Sequence, residues 1–211
     1  MVTHHPTQAN LGPWAPLLPQ QAGTLFAAQR CPWWIAGGWA LDLFIGRQTR
    51  DHGDLDVEVL RRDQTEVQRF LVGWDLHTAA SGVLRPWPPG ERLGDEIDSI
   101  WCRPTPEAPW ALQVMFARAR GGDWVYRRQM EITRPLGETR LRTPDGLPFL
   151  APEIQLLYKS KAPRPKDETD FAMIHSLLDT QRKRWLVHAL TRTHPDHPWL
   201  HRLNAANADE A

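Results

Sequence analysis

Two aspartates, Asp54 and Asp56, stand two residues apart in the run Gly53-Asp54-Leu55-Asp56-Val57-Glu58-Val59-Leu60. The alternation of polar and apolar residues predicts a strand, with Leu55, Val57 and Val59 on one face and Asp54, Asp56 and Glu58 on the other. On a strand the two carboxylates point the same way, about 7 Å apart along the backbone. Such a pair suits a hard divalent cation: Mg²⁺ takes one or two carboxylates and completes its octahedron with water and substrate phosphate oxygens. Upstream, Gly37-Gly38 interrupts an otherwise apolar stretch. Adjacent glycines between a strand and a helix let backbone amides come close to a phosphate, at the helix end that favours anions. Singly, a glycine pair is ordinary turn architecture and a D-x-D strand is an ordinary solvated edge. Together they describe a site for a metal-complexed triphosphate.

The elements around these residues follow from local pattern. A helix is expected from about Leu17 to Arg30, with Leu18, Ala22, Leu25 and Phe26 on one stripe. Trp33 to Ala36 reads as a short buried strand, and Trp39 to Ile45 as a compact helix closed by Gly46. A helix over Gln64 to Trp74 follows, then a proline-rich loop from Arg85 to Glu91. Strands are expected around Ile97 to Arg103, Ala111 to Ala117 and Asp123 to Arg128. Pro152 opens a helix running to about Lys161, because proline is tolerated in the first turn. Asp167 can cap a further helix to Leu178, and a last one spans about Gln181 to Leu190. The chain therefore reads as an α+β protein: a mixed-sheet α/β domain over residues 13–149 and a helical portion over 150–203, with loose termini at 1–12 and 204–211.

Composition narrows the function. The 211 residues carry 25 Lys plus Arg and 25 Asp plus Glu, a formal charge of zero. A binder driven by bulk attraction to nucleic acid carries a basic excess, and a polybasic membrane anchor does too; neither is present. No apolar run reaches the roughly 18–20 residues that cross a bilayer, and the N-terminus has no basic segment followed by an apolar one, so a cytoplasmic protein is expected. Cys31 and Cys102 are too few for a disulfide framework and read as reduced thiols. His194, His197 and His201 invite a metal reading, but they lack the glutamate of a helical zinc motif and prolines 195 and 198 spoil a common helical face. Of the 11 tryptophans, Trp33, Trp34, Trp39 and Trp101 fall in core-like elements. Trp74, Trp87, Trp110 and Trp124 fall at element ends, where a ring can stack on a base or a substrate.

The block GGWALDLFIGRQTRDHGDLD, residues 37–56, resembles the nucleotidyltransferases of the DNA-polymerase-β-like fold, and among them the aminoglycoside 2″-adenylyltransferases and lincosamide nucleotidyltransferases. The likeness continues through WVYRR (124–128), DGLPFLAPEIQLLYKSK (145–161) and RPKDETDF (164–171). It implies transfer of a nucleoside monophosphate, AMP from ATP or the equivalent from another NTP, to a hydroxyl of a small molecule, with release of pyrophosphate and a link to antibiotic resistance. Asp54 and Asp56 would hold Mg²⁺ and Gly37 and Gly38 would line the phosphates. Lys159 and Lys161 stand where the resemblance places cationic phosphate contacts. A leaving pyrophosphate needs a cation, and Arg50, just ahead of the D-x-D strand, is favoured over Arg47 for it. His52 can tune the site or be a plain loop histidine.

The family also uses a third carboxylate on a neighbouring strand, and here the sequence departs from it. The matching position is Gln113, which is neutral and cannot take a proton. Asp98 is the candidate substitute, a catalytic residue if its register faces the site and a surface aspartate otherwise; Glu58 shares the Asp54/Asp56 face but lies further along. Without a third acid the chain reads instead as a nucleotide-binding protein with weak or no catalysis. A toxin- or antitoxin-type transferase acting on protein or tRNA is the other alternative, the tRNA version being disfavoured by the zero charge.

Overall fold

A computed structural model describes residues 11–205 of the protein. Residues 1–10 and 206–211, which fall in the expected loose termini, lie outside the described residues. In chain order the elements are α1 (Pro19–Phe26), β1 (Trp33–Ile35), α2 (Gly37–Ile45), β2 (Asp56–Leu60), α3 (Gln64–Phe70), β3 (Asp75–Ala80), β4 (Val83–Pro86), β5 (Ser99–Arg103), β6 (Leu112–Arg120), β7 (Asp123–Val125), β8 (Thr133–Pro135), β9 (Arg140–Arg142), β10 (Pro148–Leu150), α4 (Pro152–Lys159), α5 (Pro165–Ile174), α6 (Thr180–Thr193) and α7 (Trp199–Ala205). The protein is α+β, with parallel and antiparallel strand pairs together. Within the described residues the chain forms two compact units, residues 11–33 with 53–117, and 34–52 with 118–205.

The first unit is built on β4-β3-β5-β6-β2, antiparallel throughout except for the parallel pair β2 and β6. Its two sheet faces differ in chemistry. Val57, Val59, Leu112, Val114, Ile100 and Cys102 alternate onto one face and are fully buried, the dry side expected of β-branched and aliphatic residues at period two. The opposite face carries Asp56, Gln113, Trp101 and His77 in one register row, all half-buried. The hairpin β3–β4 turns through Ser81 and Gly82, both at positive φ (50° and 76°), as a two-residue hairpin turn requires. That strand extends to Pro86, into the stretch expected to be loop.

The second unit carries β1 parallel to β10, β10 antiparallel to β9, and β7 between the end of β6 and β8. Helices α4 to α7 follow as the helical end of the chain. Pro152 does open α4, at its first turn. Trp124 and Trp199 are buried in this unit, as are Trp87 and Trp110 in the first. These rings belong to the core, which decides for Trp87, Trp110 and Trp124 between the interior and the stacking role that the sequence left open: indole is large enough that a residue at a strand end still fills the interior.

The zero net charge is a sum of opposites. Residues 1–33 and 53–117 carry eleven acidic and seven basic residues, whereas 34–52 and 118–211 carry fourteen and eighteen.

Candidate functional site

In the first unit the aspartate pair begins β2. Asp56 is its first residue, half-buried, and Asp54 precedes it, exposed. Pairing reaches back to Leu55, whose carbonyl accepts from Gln113 N–H at 2.8 Å. Further along the strand Glu58 is 1% exposed, so the polar face closes within two residues of Asp56 and Glu58 lies in the interior.

The register of β2 on β6 pairs Asp56 with Gln113, and β5 on β6 pairs Gln113 with Trp101. Asp98 falls on the other parity. It precedes β5 by one residue, and its carbonyl accepts from Phe116 N–H at 2.9 Å, so it alternates with Ile100 and Cys102 rather than with Trp101. Its carboxylate lies 3.7 Å from Arg61 Nη2. Arg61 also reaches Asp95 (3.6 Å), donates to Gly94 O at 2.9 Å and to Ile97 O, and lies over the Phe116 ring. Asp95 and Asp98 thus converge on one arginine that fastens the loop. Among the described residues no three histidine, cysteine or acidic side chains cluster as a ready metal cage.

In the second unit Gly37 has φ of +67° and its N–H donates to Gln155 Oε1 at 2.8 Å. The helix α2 begins at these glycines, with Ala36 as its N-cap, and ends on Gly46 in the left-handed region. A Cβ built on Gly38 would collide with Arg50 Nη2 and lie 2.5 Å from His52 Cε1 and 2.6 Å from His52 Nδ1. Two side chains therefore rest directly on the Gly38 Cα, and that close approach is what the missing side chain permits.

Arg50 is held on both edges. Its Nε and Nη2 donate to Asp170 Oδ1 and Oδ2 at 3.0 and 3.1 Å, a bidentate pair, and its Nη1 donates to Asp51 O and to His52 Nδ1, both at 3.1 Å. His52 Nε2 lies 2.6 Å from Asp42 Oδ2, and Thr49 Oγ1 donates to the other Asp42 oxygen. With Nδ1 facing a donor and Nε2 facing a carboxylate, the His52 proton sits on Nε2. Lys159 Nζ lies 2.7 Å from Asp167 Oδ1 and 2.9 Å from Asp170 Oδ2. Burial works against ionisation of both aspartates, but it is outweighed. Hydrogen bonds from Arg164 and Lys159 hold Asp167 far below the usual carboxylate range, and Arg50 and Lys159 lower Asp170.

Of the residues singled out in the sequence, the structure brings Arg50 and Lys159 to a common carboxylate and sets Arg50 against Gly38. Lys161 is exposed. Asp167, expected as a cap, is the third residue of α5: its Oδ2 accepts the Arg164 N–H at 3.0 Å. Asp42 and Asp170 were missed. Asp42 lies inside the apolar helix GGWALDLFI, where a lone acid signals a buried partner; Asp170, 120 residues from Arg50, has no local signal. Among the C-terminal histidines, His197 has both ring nitrogens engaged, Nε2 with Ser160 O at 3.0 Å and Nδ1 accepting from Trp199 N–H at 3.1 Å.

The family model described as Aminoglycoside-2''-adenylyltransferase matches residues 20–174. A 2''-aminoglycoside nucleotidyltransferase of Escherichia coli is 36% identical over 83 residues, 38% of this chain and 41% of the relative. One from Klebsiella pneumoniae matches to the same extent. The match thus spans well under half the length of these relatives. Among solved structures, the lincomycin-bound lincosamide antibiotic adenylyltransferase LnuA aligns with a TM-score of 0.52 at 18% identity, over 75% of this chain and 95% of that one. ANT(2'')-Ia in complex with adenylyl-2''-tobramycin aligns with a TM-score of 0.50 at 15% identity, over 81% and 93%. At these identities the two likenesses speak for the fold.

Proposed function

The chain belongs to the aminoglycoside-2''-adenylyltransferase family, and from that premise we propose that it transfers a nucleoside monophosphate, AMP from ATP or the equivalent from another NTP, to a hydroxyl of a small aminoglycoside- or lincosamide-type acceptor. The observation that carries the reading is Asp56 at the open end of β2, with Asp54 exposed just before it. The donor set fits Mg²⁺, which needs no more than two protein carboxylates when substrate phosphates and water supply the rest. Asp54 and Asp56 would hold the ion, which would supply charge neutralisation of the triphosphate and its alignment for in-line attack.

The remaining work falls to the chain's own groups. Arg50 and Lys159 neutralise the charge that grows on the leaving pyrophosphate. Gly37 and Gly38 let the chain turn tightly into α2, and Lys161 adds an exposed cation nearby in sequence. Acceleration comes from positioning and charge neutralisation, as in phosphoryl transfer generally.

Gln113 favours a second reading. Standing beside Asp56, it supplies no third acid, and the same residues then bind nucleotide with slow turnover or none. One experiment decides: incubation with Mg²⁺, each NTP, and tobramycin or lincomycin, with pyrophosphate release measured. Turnover that disappears in Asp54→Asn and Asp56→Asn supports the transferase; turnover that persists in them overturns the metal assignment. Nucleotide binding without pyrophosphate release supports the second reading. Asp98→Asn distinguishes a catalytic Asp98 from a loop fastener, because only the former stops turnover in a protein of unchanged Tm.

A further inference from the structure

We propose that Asp170 is a positioning residue, which fixes Arg50 and Lys159 as a paired cationic contact for a polyphosphate; this rests on the nucleotide reading above. Its carboxylate is 4% exposed and receives both cations, Arg50 through two parallel hydrogen bonds and Lys159 through Nζ at 2.9 Å. A buried ion pair is not needed for stability as such, since apolar side chains of similar volume serve as well. Here the chain commits three buried acids to the arrangement. Asp170 takes one edge of Arg50, Asp42 fixes the ring of His52 that takes the other, and Asp167 shares Lys159. The outcome is specific in space: the guanidinium lies on the Cα of Gly38, where any other residue would push it away, at the start of a nine-residue helix whose N-terminus favours anions. Bidentate pairing is what locks a guanidinium in orientation, and a lysine cannot reproduce it.

All of these groups belong to the second unit, whereas Asp54 and Asp56 belong to the first, so the cationic contact is testable apart from the metal pair and apart from turnover. The probe is inorganic tripolyphosphate, titrated calorimetrically in EDTA against the full chain, followed by steady-state kinetics with Mg-ATP. Asp170→Asn is expected to weaken tripolyphosphate binding and raise KM for ATP about tenfold or more, with a smaller change in kcat, as loss of a charged hydrogen-bond partner does. Asp170→Glu restores part of the affinity, and Arg50→Lys loses nearly as much as Arg50→Ala. Wild-type affinity in both Asp170→Asn and Arg50→Lys overturns the proposal. If Asp170→Asn fails to fold, Arg50→Lys and Asp170→Glu decide the matter. An Arg50→Ala protein that binds tripolyphosphate normally, or a wild-type protein that does not bind it, also overturns the proposal, whereas a wild-type protein that does not bind ATP in Mg²⁺ overturns the nucleotide reading itself.

Discussion

Asp56 and Gln113 are register partners on the parallel strands β2 and β6, so a neutral carboxamide stands beside the carboxylate at the mouth of the polar sheet face. The next residue in the row is Trp101. Asp98, the acid closest in sequence to that row, alternates to the other side and meets Arg61 instead.

Gln113→Asp would place a like charge directly across from Asp56. Like charges opposite one another in a sheet are destabilising, by up to about 1 kcal/mol, and a bound divalent cation reverses the sign. The variant is expected to melt below the wild type in EDTA and to recover the difference in millimolar Mg²⁺, read by differential scanning calorimetry. If the chain is an active transferase, pyrophosphate release rises by about tenfold or more, in the range that a placed general base contributes. A variant whose Tm ignores Mg²⁺ would argue against a metal at Asp56.

Gly38→Ala tests the packing on α2. The new Cβ would occupy space held by Arg50 Nη2 and by the His52 ring, and both are anchored, one by Asp170 and the other by Asp42. Overpacking of this kind costs about 1–3 kcal/mol. Urea denaturation should show that loss, and a double variant with Arg50→Ala should recover part of it. A variant as stable as the wild type would mean that the two side chains move aside freely.

The parts of this molecule that were legible in the sequence are those fixed by neighbours a few residues away. Alternation in 54–60 gave β2 and its faces, Gly46 gave the end of α2, and Pro152 gave the start of α4. The hairpin of β3 and β4 was missed because Asp-Leu-His-Thr-Ala-Ala is weakly apolar, although Ser81-Gly82 is a turn signal. Strands β8, β9 and β10 are three residues each, too short for a period to register. Glu58 was placed on the correct parity but not in the interior, because burial on both faces is decided by what packs over the sheet. In the candidate site, Arg50 was nameable by residue type and place, and Lys159 by the family resemblance. Their common partner was not, since nothing near Asp170 in the chain marks it.

Acid should erode the stability that Asp167 contributes through the Lys159 cluster. Asp167 is held well below its unfolded value by Arg164 and Lys159, so between those two values the unfolded chain binds more protons and stability falls as pH falls. The contribution is complete above about pH 4, the unfolded carboxylate value, and disappears as acid protonates the folded group. Asp167→Asn is expected to cost about 3 kcal/mol at pH 7, as removal of one partner from a buried pair does, and the gap to wild type should narrow below pH 4. Chemical denaturation across pH 3–7 measures it; a gap constant over that range would show that Asp167 acts through its capping hydrogen bond alone.

His197 gives a test of the same sign at milder pH. Burial lowers its pKa, against the pull of the Ser160 carbonyl. The neutral ring uses Nε2–H to bond Ser160 O and Nδ1 to accept from Trp199 N–H, so protonation of Nδ1 removes the acceptor on which the start of α7 rests. A histidine with a depressed folded pKa contributes stability that is present above about 6.5 and lost as pH falls through the folded value. Wild-type protein should therefore lose more stability than His197→Phe between pH 7 and pH 5. Because both nitrogens are already committed, added Zn²⁺ should leave the Tm at pH 7 unchanged. A zinc-dependent rise in Tm that His197→Phe abolishes would restore the histidines at 194, 197 and 201 as a metal site.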